Sequence, residues 1–215
     1  MRLFVAGASG RCGRQVVQQG RERGHDVTAL SRPDTPFDSP EGVRVVRGEV
    51  LDAEMVQRAL PEHGAVISCL GIRRVRPAHP WSPLASPSDF AECSARVLVD
   101  AMKRSAVRRI IAVSAAGVGD SAPDLPLVMR FLVRYSNVGL SYRDLERMER
   151  VYRHSGLDWL AVRPITLANG RPTGNVREKA RYKTFSRVRR ADVATYLLDA
   201  VESDRPFRHH TVVIG

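Results

Sequence analysis

The amino-acid sequence predicts an α/β fold: a doubly wound, mostly parallel β-sheet with helices on both faces. Three observations carry that prediction. Short apolar runs of β-compatible residues alternate along the chain with segments whose apolar residues recur at helical spacing. The first run passes directly into a glycine triplet, Gly7-Ala8-Ser9-Gly10-Arg11-Cys12-Gly13, and then into a helical segment. No internal repeat or low-complexity tract interrupts the series, and 215 residues with 43% hydrophobic content suffice for one core, so residues 1–215 are expected to form a single domain.

Each element follows from local pattern. Residues 2–6, with Phe4 and Val5, predict the first strand. Val16 and Val17 share one face of the helix after the glycine loop, and Gly24 ends that helix. Residues 26–30 predict a second strand, and 31–42 a turn-rich connection. Residues 43–46 predict a third strand, 52–60 a helix, and 65–70 a fourth strand. Phe90, Val97, Leu98, Ala101 and Met102 define the next helix face, followed by a strand over 109–113 that ends at Ser114. Leu145, Met148, Val151 and Tyr152 define another. Gly156 stops it, and a strand over 157–162 is closed by Arg163-Pro164, where proline is expected to end regular pairing. Asp192 is the expected cap of a helix running to Val201, and 211–214 the last strand. The aperiodic stretches 72–88 and 166–186 both follow strand carboxyl ends, where open α/β sheets bind ligands, so they are expected to wall a substrate site.

Composition narrows the function. No run approaches the roughly 18 consecutive apolar residues of a membrane span, so no membrane partner and a cytoplasmic location are expected. Cys12, Cys69 and Cys93 show no CxxC spacing, which argues against a disulfide framework or a zinc site, and no other metal-ligand cluster stands out. Lys and Arg total 34 against 23 Asp and Glu, a formal charge of +11. That charge suits an anionic cofactor, an acidic substrate or a nucleic acid. The chain lacks the aromatic-basic signature of RNA-binding modules, so nucleic acid is not expected, and the Arg-rich 177–190 segment is the place to test that class.

The glycine triplet is the most informative motif. Placed between a strand and a helix, it lets the backbone approach a pyrophosphate while the helix N-terminus presents oriented N–H donors. It therefore predicts a Rossmann-type dinucleotide site. An acidic residue beyond the second strand favours NAD; here that strand ends in Leu30-Ser31-Arg32, whose guanidinium can fork onto a 2′-phosphate with Ser31 as a further donor. Arg11 adds positive charge inside the loop. NADP(H) is expected ahead of NAD(H), with a solvated Arg32 and Asp34 folding back to the ribose as the competing reading.

Taken together, the glycine loop, Gly48-Glu49-Val50-Leu51-Asp52, Ala65-Val66-Ile67-Ser68-Cys69-Leu70-Gly71, Val113-Ser114-Ala115, Ser155-Gly156-Leu157-Asp158-Trp159 with Val162-Arg163-Pro164, and Arg190-Ala191-Asp192-Val193-Ala194 resemble the atypical short-chain dehydrogenase/reductases. More narrowly, they resemble the NAD(P)H-binding group that contains NmrA-like proteins and flavin (biliverdin-IXβ) reductases. The resemblance implies that Gly7, Ser9, Gly10, Cys12 and Gly13 hold the pyrophosphate and Arg32 the 2′-phosphate. Glu49, where the family more often has Asp, and Val50 would flank the adenine, and Leu70 and Gly71 would line the path to the nicotinamide. Ser114 would stand beside the nicotinamide ring as the candidate catalytic residue, with Pro164, Ile165 and Thr166 covering the far side.

One departure is as informative as the match. The superfamily's usual proton donor is a Tyr with a Lys four residues later, and no tyrosine here has that partner: Tyr142, for example, is followed by Glu146. Hydride transfer to an acceptor that needs little proton help, such as a flavin, quinone or tetrapyrrole, remains as the expected reaction. Arg73, Arg74 and Arg76 suit either an anionic acceptor or a solvated loop face, and His79 and His154 are proton-transfer candidates by residue type, His154 also suiting a helix cap. The alternative is a non-catalytic, NADP(H)-sensing regulator of the NmrA-like type that binds a protein partner.

Overall fold

The computed structural model describes residues 1–178, 186–207 and 210–215. Seven strands form one sheet: β1 (Arg2–Ala6), β2 (Asp26–Ser31), β3 (Arg44–Arg47), β4 (Ala65–Ser68), β5 (Arg109–Val113), β6 (Asp158–Pro164) and β9 (Thr211–Ile214). A separate pair, β7 (Thr166–Ala168) and β8 (Arg187–Arg189), lies between β6 and β9 in the chain. The strand order of the main sheet is β3-β2-β1-β4-β5-β6-β9. Every pairing between neighbours is parallel, so the mostly parallel expectation becomes a fully parallel sheet. The chain order reverses beside β1, which opens a crevice between the carboxyl ends of β1 and β4.

Alternation along the strands divides the core in two. Leu3 and Val5 face one layer with Val16 and Val17 of α1 (Arg11–Glu22) and Leu197 and Leu198 of α6 (Arg190–Glu202). Phe4 and Ala6 face the other, with residues of α2 (Ala53–Ala59), α3 (Phe90–Ser105) and α5 (Val138–Arg153). Both faces of β1 are therefore dry, as a central parallel strand requires. The buried residues of α1, Gly13, Val16, Val17 and Gly20, recur at helical spacing. Gly20 brings α1 close to α6: a Cβ there would lie 3.7 Å from Leu198 Cδ2. Across the same contact, Gln19 donates to Ala191 O at 2.9 Å and accepts from Thr195 Oγ1 at 2.9 Å. On the other side, the buried Asp144 of α5 accepts from the N–H groups of Ala91 and Glu92 at 2.8 and 3.1 Å, capping α3 from a neighbouring helix.

Among the boundaries that differ from the sequence expectation, two have a clear cause in tertiary contacts. β6 runs through Arg163 and Pro164, which pair with Val213 and Ile214 of β9. Pro164 is tolerated because the pairing of β6 with β5 has already ended at Val162, so the missing N–H falls past the ladder. Asp192 is not the cap of α6, which starts two residues earlier with Arg189 in the cap position. Its carboxylate is buried and accepts from Thr173 N at 2.6 Å, Thr173 Oγ1 at 2.9 Å and Gly174 N at 3.2 Å, pinning a loop rather than its own helix.

Three further features lack a sequence forecast. A 3₁₀ turn over Gly119–Asp124 leads into α4 (Leu127–Tyr135), and the stretch expected to be irregular after β6 begins as β7, paired in parallel with β8. Of the Arg-rich 177–190 segment, residues 179–185 lie outside the described residues.

Candidate functional site

The glycine loop leaves β1 at the crevice and is held there by close packing. Gly7 adopts a φ of 79°, and a Cβ on it would meet Cys69 O at 2.9 Å. A Cβ on Gly13 would lie 2.2 Å from Gly7 O and 2.8 Å from Ala8 Cα, closer than any side chain tolerates. Gly10 is the N-cap of α1 and supplies no side-chain acceptor to the N–H groups of the first turn. Those N–H groups and the positive end of the helix suit a phosphate.

A cleft opens to solvent beside this loop. It brings together Gly7, Ser9, Gly10, Arg32, Glu49, Val50, Leu70 and Gly71, all singled out from sequence. Leu30, Cys69, Arg73 and Phe90 line it as well. Phe90 starts α3 after an aperiodic loop, so sequence showed it only as part of a helix face. Arg11, Cys12 and Gly13 stand in the first turn of α1 next to the cleft and do not line it. Burial pushes the Cys12 thiol pKa up against the charges of Arg190 and Arg11, and burial raises Cys69 further. Both thiols are therefore poor nucleophiles.

The basic end of the cleft is built by Arg32 and Arg73. Burial lowers the Arg73 pKa, the Arg32 charge lowers it again, and Glu49 acts in the opposite sense. Two guanidinium groups that repel one another in a cleft favour an anion between them. From sequence, Arg73 is a candidate for steering an acceptor together with Arg74 and Arg76; the loop folds back so that it faces the Arg32 end instead, with Arg73 Nη2 donating to Ala85 O at 3.0 Å. Ser31 is no further donor to the cleft: it is 2% exposed, and its hydroxyl donates to Arg32 O at 3.4 Å and accepts from Arg47 at 3.4 Å. Arg47 also donates to the carbonyls of Thr35 and Phe37, setting the turn on which Arg32 stands.

Beyond the basic end, Ser68 of β4 pairs with Ala112 of β5, so Leu70 and Ser114, each two residues on, leave the sheet at one level, Leu70 lining the cleft and Ser114 lying outside its lining. Ser114 is 6% exposed and donates to Glu149 Oε1 at 2.6 Å. Glu149, on α5, is itself buried and receives Arg163 Nε at 2.9 Å and Nη2 at 2.5 Å. A third Arg163 nitrogen donates to Asp120 Oδ1 at 2.6 Å, and the Asp120 pKa falls because of that bond. This Ser-Glu-Arg-Asp chain, buried except at Asp120, is not legible in the sequence because its members lie on four separate segments. Arg163 reads there only as a strand end, and a buried arginine carries no periodic signature.

The remaining candidates separate. Pro164 and Ile165 are buried, Ile165 N–H donates to Ile214 O at 3.1 Å, and Thr166 is exposed at the start of β7; none of the three lines the cleft. Tyr142 of α5 donates to Ala116 O at 3.2 Å, two residues past Ser114, a proximity that Tyr-Lys spacing does not reveal. His154 Nδ1 donates to Arg150 O at 2.8 Å and so closes a helix end, while the exposed His79 packs edge-on against Trp81.

Comparison with known proteins agrees with this fold. A solved structure of anaerobillin reductase ChuY from Escherichia coli superposes with a TM-score of 0.79 at 23% identity, covering 100% of this chain and 96% of that one. A Veillonella parvula short-chain dehydrogenase/reductase solved with NADP gives a TM-score of 0.77 at 16% identity, covering 100% and 94%. In sequence, a Streptomyces 3-diazoavenalumate denitrifying reductase is 32% identical over 188 residues, 83% of this chain and 60% of its own length. An uncharacterized chloroplastic protein of Arabidopsis thaliana is 29% identical over 182 residues, 81% of this chain and 62% of its own length. The chain thus spans about three fifths of these two relatives. The family model described as NAD(P)H-binding matches residues 7–204, from the first glycine of the loop to the end of the last helix, and the chain belongs to that family.

Proposed function

We propose that this protein is an NADPH-dependent reductase that passes hydride to a small conjugated acceptor of the flavin, quinone or tetrapyrrole type. The observation that carries this reading is the direction of the Ser114 hydroxyl. Its hydrogen is committed to Glu149, which Arg163 holds in a bidentate grip, so the hydroxyl has no proton left to donate. A side chain arranged in that way orients a bound amide or acceptor edge; it does not act as a general acid. When bound, NADPH supplies the hydride. The protein's part is to fix the adenosine half and the centre of the cofactor: Arg32 and Arg73 would hold the 2′-phosphate and the N-terminus of α1 the pyrophosphate. Acceptors whose reduced form is stabilised by delocalisation suit a site without the Tyr-Lys donor, since holding the reacting atoms about 3–3.5 Å apart then supplies most of the rate. The reductase names of the Streptomyces and Escherichia coli proteins support the class of reaction, and the NADP in the Veillonella structure supports the cofactor.

The test is NADPH oxidation, followed by absorbance, with a flavin, a quinone and a linear tetrapyrrole as separate acceptors. Turnover above background with at least one is expected. Tight NADPH binding with no acceptor reduced would replace this reading by the cofactor-sensing one, and partner capture that depends on the NADP⁺/NADPH ratio would then be the next measurement.

A further inference from the structure

α4 turns a face to solvent that neither the core nor the cofactor cleft uses. None of its residues is buried. At about 100° per residue, Leu127, Val128, Phe131 and Tyr135 fall on a single arc of the helix. They are 78%, 59%, 55% and 57% exposed. The half-buried Met129, Leu132 and Val133 take the opposite side. The rings of Phe131 and Tyr135 lie 4.9 Å apart. Trp81, from the loop after β4, extends the patch: its indole N–H donates to Tyr135 O at 2.9 Å, and Asn137 Nδ2 donates to Trp81 O at 3.2 Å. The indole thus has its polar atom satisfied while half of its surface stays in water.

The rim of this face is cationic. Arg130 and Arg134 flank the apolar arc; Arg130 donates to the carbonyls of Pro123 and Leu125, Arg134 lies 5.5 Å over the Tyr135 ring, and neither forms an ion pair among the described residues. The neighbouring 72–88 loop contains Arg73, Arg74 and Arg76 and no acidic residue. The carboxylates on the connection into α4 are Asp120, which is paired with Arg163, and Asp124. A second copy of the chain would set these like charges against each other, and the net charge of +11 opposes such contact further. Exposed aromatic and aliphatic side chains beside unpaired arginines match an anionic interface.

We propose that this face docks on an anionic lipid surface, with α4 lying in the plane of the bilayer interface. Leu127, Val128, Phe131 and Trp81 enter the boundary between headgroups and acyl chains, and Arg130 and Arg134 meet lipid phosphates. The expectation of no membrane partner rests on the lack of long apolar runs in the sequence. An arc of four residues interrupted by arginines leaves no such run.

The test uses the full chain in co-sedimentation with vesicles of phosphatidylcholine alone and of phosphatidylcholine with phosphatidylserine. Binding to the serine-containing vesicles that falls as salt is raised, and weak binding to the neutral ones, are expected. Phe131→Glu and Leu127→Glu should each lower that binding about tenfold or more, and Arg130→Gln or Arg134→Gln roughly fivefold. NADPH affinity should stay unchanged in all four variants, which reports an intact fold. Absent binding to anionic vesicles at low salt overturns the proposal. So does equal binding by Phe131→Glu and Leu127→Glu, which would place the contact elsewhere on the basic surface. A dimer in sedimentation velocity that Phe131→Glu dissolves, without vesicle binding by the parent, would assign the face to a second copy instead.

Discussion

At the scale of single residues, two arginines stand at one end of the cleft, and near it a hydroxyl is held by a buried carboxylate. Arg32 and Arg73 converge on one end of the cleft, while Asp34 stays exposed outside its lining. Arg32→Ala is expected to lower NADPH affinity about tenfold or more and to leave NADH affinity nearly unchanged, because a charge-assisted bidentate contact contributes about 1.5–3 kcal/mol. Fluorescence titration with both nucleotides checks this; equal affinities in the parent protein would remove the role assigned to Arg32. Ser114→Ala should slow turnover less than about 100-fold, the lower range for loss of a true acid or base. A larger drop in kcat would make Ser114 a proton donor despite its bond to Glu149. Glu149→Gln should destabilise the fold by about 3–5 kcal/mol, since it leaves the buried Arg163 with Asp120, a largely exposed carboxylate, as its remaining charged partner. Urea denaturation of parent and variant reads that directly.

At the scale of elements, the cofactor site exists because a strand, a loop and a helix pack at van der Waals limits. The contact between Gly13 and the Gly7 carbonyl fixes where α1 begins, and with it the position of the N–H groups of its first turn, which are proposed to hold the pyrophosphate. Gly13→Ala places a methyl group 2.2 Å from that carbonyl oxygen, so the first turn of α1 must move away from β1. Calorimetric NADPH binding is expected to disappear or to weaken more than about 100-fold, an effect exceeding the about 1–3 kcal/mol of ordinary overpacking because the displaced backbone is itself the ligand. Binding at parental affinity would mean that the loop has slack the packing does not show. Gly24, by contrast, would have nothing within 4 Å of an added methyl group and matters only for its φ of 80° at the end of α1.

At the scale of the whole molecule, ion pairs at the periphery tie distant segments together and give stability a pH dependence. Hydrogen bonding to Arg96 holds Glu92 below its ordinary 4.5, and hydrogen bonding to Arg163 holds Asp120 below 3.8. Burial works against Glu202, yet His25 and Arg23 keep it below 4.5. Depressed carboxylates contribute stability that is present above their unfolded values and lost as pH falls through the folded ones. Asp144, raised by burial, acts in the opposite sense. With three groups against one, the melting temperature is expected to fall on acidification below about pH 4, and a flat profile there would contradict the assigned pairs. The pairs concerned join α3 to α5, the turn before α4 to β6, and the end of α1 to the end of α6.

The sequence by itself determined the strand and helix series, the glycine loop and the basic residue after β2, because each is a local pattern: apolar period, chain-reversing glycine, and charge at a strand end. Those elements sufficed to predict the doubly wound sheet and the glycine-loop and Arg32 part of the cleft lining; Glu49, Val50, Leu70 and Gly71 came from the family resemblance. What only tertiary structure decided involves residues brought together from distant segments. Arg73 sits opposite Arg32 because the 72–88 loop folds back on itself, Arg74 bridging Leu84. Ser31 turns inward because Arg47, on the adjacent strand, claims its hydroxyl. Asp192 serves a loop rather than its own helix because Thr173 and Gly174 reach it first. Ser114 meets Glu149 and Arg163 across the sheet, and no period in the chain encodes a hydrogen bond between a strand end, a helix and the next strand. Local periodicity reports which side of an element is buried; which polar groups share that burial depends on packing among elements far apart in the chain.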